Sequence, residues 1–371
     1  MLFCLAGLNM DSFLLSKANR LVAGAPVSMS DVYGIFLISA IFVVFGFTGK
    51  HLNSKIKMIR MLIISLAFCY VSVKCNGYAG EMISDNQFAR VSFSSGYWLF
   101  FLGVGLFFMQ GHTQLNRPTD RVLFSALMFL PLIVLVFKGG IDNMSVMLEY
   151  ANYEDRFRKE IIAHILISFG SIVLAVFAGV PLGIISSRRS AHSGKLFNIL
   201  NIIQTIPSIA LFGFLMIPFA WLASKSTVLE SAGVAGIGWA PAVTALFLYS
   251  LLPIVRNTYE GVSGISEGVR DAAMGMGMTN SYMLLKVELP LSMPVILNGV
   301  RVALVQSIGN TAVVSLIGAG GMGIFIFQGL GQSAVPLIML GTIPTIFLAV
   351  AADSVMHLII SLSRSSVHDR A

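Results

Sequence analysis

The feature that most limits what this chain can become is a series of apolar runs, each long enough to approach the width of a lipid bilayer. They fall at roughly 31–49, 58–75, 97–110, 121–138, 161–186, 197–222, 240–256, 291–317 and 336–362. A spanning helix needs about 20 apolar residues. Composition agrees: 56% of the 371 residues are hydrophobic and 11% are charged, with mean hydropathy +0.84, whereas soluble domains carry about 25% charge. Inside hydrocarbon, helices satisfy their own backbone hydrogen bonds, and these runs are too long for barrel strands. The expectation is an all-α integral membrane protein with about nine transmembrane helices. Pro207 and Pro218 predict a kink or break in the sixth run.

The net charge of +7 is read as a topology signal rather than as nucleic-acid affinity, because Lys and Arg gather on cytoplasmic loops. With the long 257–290 segment inside, the clusters Lys50/Lys55/Lys57/Arg60, Arg117/Arg121, Arg188/Arg189/Lys195, Arg256/Arg270/Lys286 and Arg364/Arg370 also fall inside. The smaller share stays outside, including the group Arg156, Arg158 and Lys159. Cys4, Cys69 and Cys75 have neither metal-like spacing nor a disulfide framework and are read as free thiols. The opening MLFCLAGLNMDSFLL lacks a basic leading region and a long apolar core, so no cleaved signal is expected.

Polarity divides the chain near 139–160. Residues 1–138 are expected to form an N-terminal membrane extension of about four spans, and 139–160 an extracytoplasmic linker. Residues 161–362 form a core of about five spans that holds nearly every motif-like feature, and 363–371 a cytoplasmic tail.

The core interrupts itself at RDAAMGMGMTNSYMLLKVELP, residues 270–290. Val269, Ala272, Ala273 and Met276 follow i, i+3, i+4, i+7 and predict a helix with one small, apolar face. Gly275 and Gly277 permit a left-handed turn, and Thr279 suits the N-cap of a second short helix at 280–288. Pro290 is expected to end that helix, with Leu289 biased out of helical geometry. Connections in compact domains are usually far shorter. A helix face, a turn and a stop suit a docking element better than a solvated tether. Asp271 offers a carboxylate to a basic partner.

The spacing Asp271-Ala272-Ala273, three residues, Gly277, nine residues, Val287, one residue, Leu289-Pro290 resembles the EAA signature of ABC importer permeases, E-A-A-x3-G-x9-I-x-L-P. Asp stands for Glu at 271 and Val for Ile at 287. The resemblance implies a coupling helix that sits in a cleft of an ATP-binding subunit, carried by Asp271, Ala272, Ala273, Gly277, Leu289 and Pro290. A Gly277→Asp change is expected to abolish coupling by obstructing the turn. The stretches 164–188, 204–215, 245–262 and 315–330 resemble the osmoprotectant permeases, importers of glycine betaine, choline, carnitine and related quaternary amines. That resemblance covers about 160–362 and implies a type I ABC importer permease core. The four leading spans lie outside it.

Other residues are weighed against simpler roles. Gly318, Gly320, Gly321 and Gly323 in IGAGGMG sit at the outer end of the eighth run and read as close helix packing or an extracellular gate; no strand precedes them and no Lys-Ser/Thr follows, so a phosphate loop is rejected. Gln306 and Asn310, with Pro207 and Pro253, are translocation-path candidates. Arg301 either snorkels to the interface or pairs with Asp353, which could instead pair with a partner subunit; Asp353 and His357, one turn apart, also admit a proton-relay reading. Glu160 and His164 suggest a metal by residue type alone, without convergent spacing, and Met274, Met276 and Met278 read as adaptable packing rather than a copper site. No metal site is expected.

No nucleophile–base arrangement and no nucleotide-binding loop occurs. The chain is therefore expected to be no enzyme but a permease of the bacterial inner membrane, moving quaternary-amine osmoprotectants by alternating access. ATP and Mg would be bound by a partner ATPase. The other expected partners are an extracytoplasmic substrate-binding protein, a second permease copy or paralogue, and lipid. The rival readings are a permease for methionine or another amine and, from a different class, a secondary transporter or membrane sensor. The transporter would need an inverted repeat or paired charges in corresponding helices, and the sensor a soluble output domain; none of these is found.

Overall fold

The computed structural model describes residues 2–8, 10–18, 24–28, 53–115, 117–188 and 190–368. Among them, seven helices are long and apolar enough to cross a membrane. The expected first span at 31–49 lies outside the described residues. The third run forms a helix, but Gln110 and His112 enter its last turns and it falls short of that standard. The other seven runs each supply one of the seven helices.

The chain divides into two compact units, Met1–Asn152 with Ala334–Pro336, and Tyr153–Ser333 with Leu337–Ala371. In the first, α1 (Leu2–Leu8) precedes strands β1 (Leu14–Lys17) and β2 (Ala25–Val27). Then come α2 (Ser54–Asp85), β3 (Arg90–Phe93), α3 (Ser95–Thr113), α4 (Pro118–Phe137) and α5 (Ser145–Asn152). The all-α expectation is corrected here: β2, β1 and β3 form an antiparallel sheet in that order, with Leu14 opposite both Val27 and Phe93. Strands of three or four residues carry too little alternation to be read, and the β1–β3 pairing is non-local. Phe13, Phe68, Tyr97 and Phe100 pack this unit's core; the Phe68 and Phe100 rings stack at 5.6 Å. The three cysteines are free.

The second unit holds α6 (Glu154–Arg188), α7 (Ser190–Thr205), α8 (Ser208–Lys225), α9 (Thr227–Ser231), α10 (Trp239–Ser263), α11 (Glu267–Gly275) and α12 (Asn280–Met283). A π turn (Leu284–Glu288) runs into α13 (Leu289–Thr311), followed by a 3₁₀ turn (Val313–Ile317), α14 (Gly323–Gly331) and, from Leu337 on, α15 (Val335–His368). Residues 139–160 thus hold turns, α5 and the first turns of α6. The sixth run breaks between α7 and α8, as Pro207 predicted: it is the N-cap of α8, with φ −56° and ψ 137°. The Tyr249 hydroxyl donates to the Ile206 carbonyl at 2.6 Å, and the Gln204 side chain donates to the Tyr249 carbonyl at 2.7 Å. The Ile206 carbonyl at the break is thereby satisfied, and so is the Tyr249 carbonyl of α10, left without a helical donor because Pro253 has no N–H, as an apolar environment demands.

Three helices form the scaffold of this unit. α6 and α10 lie side by side in the same direction, and α13 returns antiparallel to both. Small residues set the spacing. At Gly179 an added Cβ would come within 2.9 Å of Ile254, and at Gly299 within 2.7 Å of the Pro253 carbonyl. Between α6 and α13, Ser171 and Ser307 hydrogen-bond at 3.0 Å, and Ser307 donates to the Ser168 carbonyl at 3.2 Å. The arrangement brings the C-terminal ends of α6 and α10 to the start of α13 at one end of the unit. The N-terminal ends of α6 and α10 meet the glycine-rich turn after α13 at the other.

Candidate functional site

At the first end, residues 264–290 form a compact appendage. α11 ends in a Schellman-type closure: the Gly277 N–H donates to the Met274 carbonyl at 2.9 Å and the Met278 N–H to the Ala273 carbonyl at 3.2 Å. Gly277 adopts φ +79°, a conformation that costs an L side chain about 1–2 kcal/mol. An added Cβ there meets nothing within 4 Å. The expectation that a side chain would obstruct the turn itself is therefore corrected: the obstacle within this chain is φ, and the space beyond Gly277 is open. Thr279 caps α12 as expected, its hydroxyl accepting the Tyr282 N–H at 3.4 Å.

The second expectation corrected here concerns Leu289 and Pro290. They do not stop a helix. Leu289 is helical, φ −63° and ψ −48°, and its N–H reaches back five residues to the Leu284 carbonyl. Proline has no N–H to give the carbonyl four residues back and its ring crowds that group. One wide π turn relieves the clash, so 280–311 continues as a single long helix.

The small apolar face is split between inside and outside. Ala273 is 1% exposed and packs against the chain's own helices, as does Met283. Asp271 and Ala272 are exposed, and so are Val269, Met274 and Met276, the last at 70%. The appendage thus presents a carboxylate beside an apolar surface, anchored from beneath by a buried alanine and a buried methionine.

A buried carboxylate beneath it was not anticipated from the sequence. Glu288, 3% exposed, accepts from Arg188 Nη2 at 2.6 Å and from Arg270 Nε at 3.0 Å. Arg270 also donates to the Val262 carbonyl at 2.7 Å. One acid therefore joins the end of α6, the last turn of α10, α11 and the π turn. Arg188 and Glu288 lie 100 residues apart, and the sequence carries no periodicity that would pair them.

At the other end, Gly318, Gly320 and Gly321 all take positive φ, and at Gly323 an added Cβ would collide with the Ala312 carbonyl. Two residues discounted as metal ligands hold this turn. Glu160, 8% exposed, accepts the Gly321 N–H at 2.8 Å, and His164, fully buried, accepts the Met322 N–H on Nδ1 at 3.2 Å. His164 Nε2 faces the Ile308 carbonyl at 3.1 Å, so with Nδ1 accepting it is the protonated nitrogen. Their i, i+4 spacing was the available signal. Among the described residues, no cluster of three or more metal-ligating side chains occurs.

The remaining candidates are dispersed. Arg301 and Asp353 form a two-pronged ion pair, Nε to Oδ1 at 2.6 Å and Nη2 to Oδ2 at 2.8 Å, midway along α13 and α15. His357 is exposed one turn further on. Gln306 and Asn310 are half-buried on one face of α13, beside the buried Ser307 and Thr311. Pro253 is half-buried in α10, and its carbonyl accepts the Asn257 side-chain amide at 2.9 Å.

Seven helices long and apolar enough to cross a membrane, with a short polar appendage at one end of the second unit, mark a multi-span helical protein. Comparison makes the class specific. Residues 175–367 match the family described as binding-protein-dependent transport system inner membrane component, and residues 1–147 match the N-terminal domain of the ABC transporter permease YehY. The chain belongs to the binding-protein-dependent inner membrane permease family. It is a multi-pass permease component of an ABC importer, related to osmoprotectant importers, in a family whose members have no ATPase activity of their own. Among its relatives, the choline transport system permease protein OpuBB of Bacillus subtilis (strain 168) is 39% identical, covering 52% of this chain and 82% of the relative. The osmoprotectant import permease protein OsmW of Salmonella typhimurium (strain LT2) is 38% identical, covering 58% and 94%. The glycine betaine/carnitine/choline transport system permease protein OpuCD of Bacillus subtilis (strain 168) is 40% identical, covering 53% and 80%. A chain of the inward-facing MetNI methionine ABC transporter shares the fold, at TM-score 0.50 and 22% identity, covering 57% of this chain and 98% of that one.

Proposed function

We propose that this permease imports quaternary-amine osmoprotectants such as glycine betaine or choline, and that α11 with the Gly277 turn is the coupling element seated in a cytoplasmic ATPase subunit. The observation that carries the coupling role is the appendage itself: Asp271, Ala272 and Met276 exposed above the buried Ala273, ending in an open left-handed turn. A surface of that kind has a use only against a partner. In this reading two permease subunits, identical or paralogous, line the path, and two ATPases bind ATP and Mg. A soluble binding protein delivers the substrate at the outer face. Closure of the ATPases rocks the coupling elements and exchanges inward-facing for outward-facing access. The substrate class rests on three relatives whose names specify choline, osmoprotectants or glycine betaine, at 38–40% identity.

The deciding experiment is reconstitution with its cognate ATPase and binding protein, followed by uptake of labelled glycine betaine, choline and methionine. ATP-dependent uptake of a quaternary amine supports the reading. Uptake of methionine alone replaces the substrate and leaves the coupling role standing. ATP-independent uptake removes the coupling role.

A further inference from the structure

The clamp around Glu288 has no counterpart in the work so far assigned to the appendage. The exposed face of α11 is what a partner would touch; Glu288 lies behind that face. Its two carboxylate oxygens are divided between two guanidiniums, Oε2 to Arg188 and Oε1 to Arg270. Arg188 is the last residue of α6, and Arg270 sits in α11 with a second bond to the end of α10. The acid itself sits in the π turn from which α13 begins. Ser292, one turn into α13, donates to the Glu288 carbonyl and so closes the same turn from the other side.

Mechanically, α11 has few other attachments. It is a short helix flanked by the tight connection at Gly264–Ser266 and the Gly277 turn. Its one fully buried side chain is Ala273, which contributes little contact area. An apolar anchor of that size lets a helix slide, whereas a charge-assisted bond to a planar fork fixes both distance and direction. Removing the carboxylate would leave Arg188 and Arg270 converging on one partly buried point without a counter-charge, so the arms would separate.

We infer that Glu288 is the positioning residue of energy coupling: with Arg188 and Arg270 it makes the appendage and the ends of α6, α10 and α13 move as one body, so that displacement of α11 reaches the helices of the path. The inference rests on the reading of α11 as the ATPase-docking element, and it places the transmission in a residue that the ATPase need not touch.

The test is made on the full transporter in proteoliposomes, with ATPase and binding protein, using labelled glycine betaine or choline, whichever the wild type imports. For Glu288→Gln, ATPase subunits should co-purify within twofold of wild type. ATP hydrolysed per substrate imported should rise at least tenfold, and Glu288→Asp should recover part of the loss. A merely structural defect lowers the amount of active transporter and leaves that ratio unchanged. Arg188→Gln, which keeps the Arg270–Glu288 bond, should raise the ratio too, and it serves if Glu288→Gln does not insert. A wild-type ratio in either variant overturns the inference alone. Co-purification unaffected by Met276→Glu on the exposed face would overturn the docking reading, and this inference with it.

Discussion

Glu160 and Gly321 are joined across 161 residues of sequence by a 2.8 Å hydrogen bond from the Gly321 N–H to the carboxylate. With His164 on the next turn accepting from Met322, the first turns of α6 hold the glycine turn that follows α13. The backbone there cannot be satisfied by a helix ladder, because Gly318, Gly320 and Gly321 all have positive φ. Glu160→Ala would strand the buried Gly321 N–H at a cost of about 1–3 kcal/mol. The expected outcome is a lower thermal unfolding midpoint in nanodiscs for Glu160→Ala, with Glu160→Gln intermediate because the amide oxygen still accepts. An alanine variant as stable as wild type would show that the turn holds itself.

The same end of the core offers a steric version of this test. At Gly320 the backbone has φ +88°, and an added Cβ would come within 2.9 Å of the Glu160 carboxylate. Gly320→Ala should therefore cost at least the left-handed penalty of about 1–2 kcal/mol. It should also be non-additive with Glu160→Ala, since both act on one contact. A double-mutant cycle of unfolding midpoints measures the coupling, and strict additivity would separate the two residues.

Gly277 separates backbone strain from partner contact. Asn tolerates left-handed geometry far better than other side chains, and the chain itself leaves the space beyond Gly277 empty. Gly277→Asn should insert and melt like wild type yet bind ATPase subunits at least tenfold more weakly. Gly277→Ala, smaller but strained, should lose about 1–2 kcal/mol of stability and keep more of the binding. Equal binding by the Asn variant would mean that no partner surface approaches this turn.

What could be read in advance follows from how local each determinant is. The spanning helices, the break at Pro207, the Thr279 cap and the left-handed Gly277 are set by residues within a few positions of one another, and each was legible. Pro290 was misread because the rule that proline ends helices omits the π turn, which absorbs its missing N–H one turn upstream. The three-stranded sheet escaped because its strands have only three or four residues and the β1–β3 pairing joins residues 14–17 to 90–93. Glu288 with Arg188 and Arg270, and Glu160 with Gly321, depend on helices that come together only once the core has packed. Their charges were visible, and their partners were not.

Arg301 and Asp353 carry the remaining prediction. Their paired geometry lies about twelve residues into α13, about 18 Å along the helix from its start, since each residue advances a helix by about 1.5 Å. An unpaired Arg near a bilayer centre costs about 2.5–3.5 kcal/mol. Paired with Asp353 in a planar, two-bond arrangement, it keeps its charge and loses most of that cost. Asp353→Ala should therefore lower the yield of inserted, folded permease and its unfolding midpoint. Arg301→Leu with Asp353→Leu should restore both, because replacing an ion pair with apolar groups is often neutral or stabilising. Uptake distinguishes the pair's purpose. If the double-leucine variant transports at the wild-type rate, the pair serves assembly of α13 against α15. If it folds and fails to transport, the charges belong to the translocation path, and Gln306, one turn along α13 from Val302, becomes the next residue to substitute.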